Sequence, residues 1–136
     1  MIVLFDTNVV VEAIFWPRST ARRALSGLAR RRFKTAVCQE ILDEYAAVTA
    51  DLRARLFPKT QPSAALAWIV AKSVRVEPMP LERRLSRDPD DNVFVAAAAA
   101  ARAALLVTQD RDLLALEQPF GVRIVTPVQL IRELRL

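Results

Sequence analysis

Apolar and polar positions alternate along this chain in blocks that read as strand, helix, strand from one end to the other. Residues 2–5 are a continuous apolar run with β-branched members, the pattern of a strand buried on both faces. The run ends in Asp6-Thr7-Asn8, where Thr7 or Asn8 is expected to cap a helix over residues 9–15, stopped by Pro17. A second helix is expected from Ser19 to about residue 31. Its Ala21, Ala24, Leu25, Leu28 and Ala29 recur at i, i+3, i+4, i+7 and i+8, while Arg22, Arg23, Arg30, Arg31 and Arg32 lie off that stripe. Residues 35–38 read as a strand, followed by a helix from Gln39 to about residue 52 that buries Ile41, Tyr45, Val48 and Leu52. On this helix Glu44 stands roughly 70° from the stripe centre and Glu40 roughly 110°, with Asp43 pointing away. Glu44 is therefore the acid at the edge of the core.

Pro58 and Pro62 punctuate a loop before a helix over residues 63–72, and residues 74–76 read as a short strand near a sheet edge, close to Pro78 and Pro80. Asp88-Pro89-Asp90-Asp91-Asn92 then runs into residues 93–105, Ala-rich and strongly helix-forming. Asp88 is a natural N-cap, Pro89 suits the first turn, and the acids complement the helix dipole. Capping accounts for Asp88 and in part for Asp91, but does not require three acids. Residues 105–108 repeat the first pattern, an apolar run ending at Gln109-Asp110 before a helix over residues 112–116. Gly121 marks a turn, residues 122–125 a last strand, and Thr126-Pro127 the start of a terminal helix carrying Leu130, Ile131 and Leu134. Alternating strand and helix predict a parallel sheet with helices on both faces, in one domain over residues 1–136.

Composition narrows the chemistry. Histidine is absent, which removes Ser-His-Asp and Cys-His catalysis and imidazole metal sites. Two glycines leave no glycine-rich phosphate loop. The single Cys38 sits in an apolar run as a small core residue and cannot form an internal disulfide, which fits a cytoplasmic setting. No basic leader segment precedes Asp6, and the longest apolar stretch, residues 93–101, is too short to span a bilayer, so no membrane association is expected. The net charge of +5, carried almost wholly by arginine, suits a polyanionic partner and bidentate phosphate contacts. A solvated basic face is the ordinary reading of Arg22, Arg23 and Arg30 to Arg32; an RNA contact is the sharper one.

Four acids thus stand at related places: Asp6 and Asp110 end buried strands, Asp91 lies in a first helical turn, and Glu44 edges a core stripe. Clustered carboxylates repel without compensation. Oxygen donors of this kind suit Mg²⁺ or Mn²⁺, and such a metal lowers the pKa of bound water, making a nucleophile without histidine.

The segments FDTNV, ILDEY, DPDDNVF, VTQDRDLL and the closing IVTPVQLI, taken in this order, resemble the PIN-domain family, particularly the VapC-like toxin components of bacterial toxin–antitoxin pairs. The similarity covers essentially the whole chain. It implies a three-layer α/β/α fold with a central five-stranded parallel sheet, and a metal-dependent endoribonuclease acting on single-stranded RNA. Asp6, Glu44, Asp91 and Asp110 would be catalytic, with Asp6, Asp91 and Asp110 on Mg²⁺ or Mn²⁺. Asn8 and Thr108 would position substrate, and Asp88 and Asp112 are adjacent candidates. A small antitoxin protein and a second copy in a homodimer are the implied protein partners. Cys38 departs from the family, where similar sequences often carry Ser. Two other readings compete: an inactive PIN-like RNA-binding or scaffold protein, and a haloacid-dehalogenase-like phosphatase. The phosphatase reading suffers because Asn8 stands where a second Asp is expected and no suitable Lys precedes the late acids.

Overall fold

The computed structural model describes residues 1–79 and 92–136, together with the backbone of Asp91. The first apolar run forms strand β1 (Val3–Phe5), and residues further along form β2 (Thr35–Val37), β3 (Ser73–Arg75), β4 (Leu105–Val107) and β5 (Arg123–Val125). All pairings are parallel. β1 pairs with β4 and β4 with β5, Leu4 facing Leu106 and Leu106 facing Ile124. β2 pairs with β3, Ala36 facing Val74. Val3 and Phe5 project to one face of the sheet and Leu4 to the other, and all three are buried, so both faces are covered, as the unbroken apolar run predicts.

The expected continuous five-stranded sheet is observed as three strands plus two, joined by a single parallel bridge between Ile2 and Lys34. The amide of Val3 donates to Lys34 and that of Lys34 to Met1, so β1 and β2 meet at their amino ends. Val3 turns its polar groups toward β2 and Asp6 donates to Val107 on the other side. By alternation the Phe5 carbonyl faces β2, and it accepts instead from the buried Tyr45 hydroxyl. A side chain of the following helix therefore takes the place of a ladder hydrogen bond.

The helices are α1 (Thr7–Phe15), α2 (Thr20–Ala29), α3 (Gln39–Arg55), α4 (Pro62–Ala71), α5 (Asp91–Ala101), α6 (Arg111–Leu114) and α7 (Pro127–Leu134), with a 3-10 turn over Pro119–Gly121. α1 packs on α2 and α3, α2 on α7, and α5 lies across β1, β2 and β4. Helix α1 starts earlier than expected because Asp6, not Thr7 or Asn8, is its N-cap. On α3 the buried stripe is Ile41, Tyr45 and Thr49, while Val48 is exposed. Thr49 is accommodated because its hydroxyl bonds the Tyr45 carbonyl at 2.7 Å, so no polar atom is left unpaired. Thr126 caps α7 in a capping box with Gln129, as its sequence predicts. Asp88 and Pro89, expected to open α5, lie outside the described residues. Among the described residues no helix is long and apolar enough to cross a membrane.

Helix ends are closed without glycine. After α2, Arg31 adopts a left-handed conformation (φ 56°), its amide donating to Leu28 and that of Arg32 to Gly27. Arg102 after α5 and Arg135 after α7 repeat the arrangement at φ 53° and 54°. These are Schellman-type or related stops with an arginine where glycine is the default. Gly27 itself is needed for packing: a Cβ there would stand 2.4 Å from the buried Phe33 ring.

Tyr45 is the sole tyrosine of the chain, so its ionisation can be read without interference. Burial, then the nearby Asp6, Glu44 and Cys38, raises its pKa well above 10. A folded-state pKa raised above the unfolded one means that its stabilisation is complete below about pH 10 and is lost as pH rises further. Absorbance titration should therefore show no tyrosinate near pH 10 in native protein and normal ionisation in denaturant. Tyr45→Phe should cost about 1–3 kcal/mol at neutral pH, because the buried Phe5 carbonyl loses its donor. Native-state tyrosinate forming near pH 10 would contradict this packing.

Candidate active site

The carboxyl ends of β1 and β4 lie side by side, and each delivers a polar side chain to the same spot. Asp6 follows Phe5 and is only 5% exposed. Burying a carboxylate is costly unless donors surround it. Here the Thr7 amide donates to Oδ1 at 2.8 Å and the fully buried Thr108 hydroxyl donates to Oδ2 at 2.7 Å. The first contact is also the N-cap bond of α1, so the helix N-terminus adds its dipole to the same oxygen. Thr108 is held in place from both sides: its amide donates to Val125 on β5, and its oxygen accepts the Asp110 amide at 3.0 Å.

Glu44 reaches this spot from α3. It is half-buried while Glu40 and Asp43 are exposed, which is the order that the helical wheel gives. Its Oε2 accepts from the Thr7 hydroxyl. Thr7 therefore links two carboxylates, through its amide to Asp6 and through its hydroxyl to Glu44. The bridging role is invisible in the sequence, where Thr7 reads as a cap. Tyr45, read as a core residue, fixes the Phe5 carbonyl immediately before Asp6. Its raised pKa, due in part to Asp6 and Glu44, places both acids within electrostatic reach of one phenol.

Asp110 is half-buried and caps α6, its Oδ1 accepting the Asp112 amide at 2.8 Å. It joins Asp6 through a two-bond chain, Asp110 amide to Thr108 hydroxyl to Asp6 Oδ2. Asn8 is exposed on the first turn of α1, and Asp112 is half-buried on α6. Gln109 donates to Glu12 of α1 at 2.9 Å, which ties the loop after β4 to the first helix. The backbone of Asp91 opens α5. That helix ends just ahead of the amino end of β4, so its start lies at the carboxyl edge, the edge of Asp6. Phe94, one turn on, packs against Tyr45 with ring centroids 6.5 Å apart. The side chains of Asp91 and Asp88 lie outside the described residues.

Asp6, Glu44 and Asp110 supply oxygen donors only, a set whose chemistry fits a hard divalent cation such as Mg²⁺ or Mn²⁺. Among the described residues no three Asp, Glu, Cys or His side chains stand close enough to hold a metal ion by themselves. Cys38, buried at the start of α3 with its thiol pKa raised mainly by desolvation, belongs to the core.

All five arginines of the basic group are exposed, as expected. Three are engaged within the chain: Arg22 donates to Ala13, Arg23 to Leu136 and Arg32 to Leu134. Arg30, Arg31 and Arg32 precede β2, so they lie at the amino edge of the strands, opposite Asp6.

The fold is shared with solved proteins. A chain in the crystal structure of VapBC2 from Rickettsia felis bound to a DNA fragment from their promoter superposes with a TM-score of 0.62. The match covers 93% of this chain and 98% of that one, at 16% identity, so the likeness is one of fold. No curated protein matches the sequence. The PIN domain pattern itself matches residues 2–112, which takes in Asp6, Glu44, Asp91 and Asp110. The chain belongs to the PIN-domain family.

Proposed function

We propose that this protein is a Mg²⁺- or Mn²⁺-dependent endoribonuclease, a PIN-domain toxin that hydrolyses phosphodiester bonds of single-stranded RNA. The observation that carries the reading is the buried Asp6 carboxylate, held by Thr7 and Thr108 and linked through Thr7 to Glu44. Family membership favours nuclease chemistry over the phosphatase reading. The VapBC2 chain is one fold neighbour, and it supports a small antitoxin protein as partner; assembly as a homodimer is part of the same proposal.

In this reading Asp6, Asp91 and Asp110 hold the metal, and Glu44 completes the catalytic set. A bound divalent ion would supply a low-pKa water and charge stabilisation at a phosphoryl oxygen. The protein's own residues do the positioning. Thr108 orients Asp6 so that the carboxylate cannot turn away, and Thr7 holds Glu44 toward it. Asn8, exposed on the first turn of α1, contacts the substrate. The charge of Asp6 is needed for the metal and its shape for capping α1, and these two demands can be separated by substitution.

Purified protein should cleave single-stranded RNA with Mg²⁺ or Mn²⁺ and not in chelator. Asp6→Asn should lower the rate by about 100-fold or more, since it forfeits several kcal/mol of charge stabilisation. Thr108→Val should cost about 10–100-fold by loosening Asp6. RNA binding without metal-dependent cleavage in wild type would favour the scaffold reading instead.

Metal binding should also appear in stability. Saturation at 100 times Kd should stabilise wild type by about 2.7 kcal/mol, and Asp6→Asn should lose most of that gain. Thermal melts of both proteins in chelator and in Mn²⁺ test this directly. Equal shifts in the two proteins would take the metal away from Asp6.

A further inference from the structure

The amino edge of the strands, the end opposite Asp6, holds a cavity of about 760 Å³ lined by Arg31, Arg32, Lys34 and Lys72. Among the described residues no Asp or Glu lines it. Nor does any of the four form an ion pair there: the pairs found among the described residues join Asp51 to Arg55 and Arg123 to Glu133. Four like charges around one cavity repel each other, and a bound anion would relieve that repulsion. Helix ends account for part of the cluster. Arg31 follows α2 and Lys72 follows α4, each where a cation complements the helix dipole. Arg32 is held by the Leu134 backbone oxygen. Lys34 has no such reason. Its backbone bridges β1 and β2, and its exposed side chain adds charge to a rim already cationic.

The rest of the lining is largely apolar, including the exposed Met1 and Val74. A cavity within the roughly 300–1,000 Å³ range of ligand sites, whose lining combines four cationic side chains with apolar ones, has the character of a nucleotide site. We propose that this cavity binds a nucleoside phosphate, with the phosphate among Arg31, Lys34 and Lys72 and the base against the apolar residues of the lining, such as Met1 and Val74. The ligand is either a free nucleotide or the phosphorylated end of a nucleic-acid strand. Being on the opposite edge from the carboxylates, the site does not rest on the nuclease reading, and loss of cleavage would leave it untouched.

Calorimetric titration of the whole protein in chelating buffer, with ADP and with 5′-phosphorylated decauridylate, tests the proposal. The comparison is between wild type, Lys34→Gln/Lys72→Gln, and a charge-matched control, Arg18→Gln/Lys59→Gln. All four residues are exposed, so the variants should fold, and melts verify it. Should the double variant melt early, the single variants Lys34→Gln and Lys72→Gln replace it, each expected to weaken binding about threefold. The double variant should bind about tenfold more weakly than wild type while the control stays close to it. Saturable 1:1 binding of ADP identifies a free nucleotide as ligand. Binding of the oligonucleotide alone, with its log–log salt slope falling by about 1.4 in the double variant, identifies a strand. Equal weakening in both double variants, or no binding of either ligand to wild type, overturns the proposal.

Discussion

A carboxylate that is almost wholly shielded from water is the constraint around which this fold is arranged. Asp6 can be buried because a strand end, a helix N-terminus and a neighbouring strand each bring a donor or a dipole to it. β1 must end where it does for the Thr7 amide to be available. β4 must lie beside β1 for Thr108 to reach, and β5 must lie beside β4 to hold the Thr108 amide. The three-stranded sheet is thus both the apolar centre of the protein and the frame that makes one acid tolerable.

Glu44 and Tyr45, successive residues on α3, serve that acid in different ways. Glu44 stands at the edge of the core and shares Thr7 with Asp6, whereas Tyr45 lies inside and secures the backbone just before Asp6. The same phenol explains why β1 and β2 pair only at their amino ends. Local sheet regularity is exchanged for a fixed strand end beside the carboxylates.

Much of this is legible in the sequence. The unbroken apolar runs at residues 2–5 and 105–107, each ending in a polar cluster, announce parallel strands with polar residues at one edge. The wheel position of Glu44 anticipates its half-buried place. What escaped pattern reading is of one physical kind: short-range choices among competing hydrogen bonds. Asp6, Thr7 and Asn8 are all good caps, and composition does not say that Asp6 caps while Thr7 bridges. Val48 and Thr49 compete for the same stripe, and the threonine is buried because a carbonyl one turn back accepts its hydroxyl. The separation of the sheet into three strands and two was equally hidden, since it depends on a tyrosine hydroxyl 40 residues from its acceptor.

The arginines that close α2, α5 and α7 carry a consequence for engineering. A side chain in the left-handed region costs about 1–2 kcal/mol relative to ordinary backbone, and glycine avoids that steric cost while adding some unfolded-chain entropy. Each of Arg31, Arg102 and Arg135 is therefore a position where glycine, and not merely a smaller side chain, would raise stability by up to about 1 kcal/mol. The gain is not equivalent at the three sites. Arg102 and Arg135 lie apart from the cationic cavity, but Arg31 lines it, so heat resistance and surface charge are set against each other at that one residue.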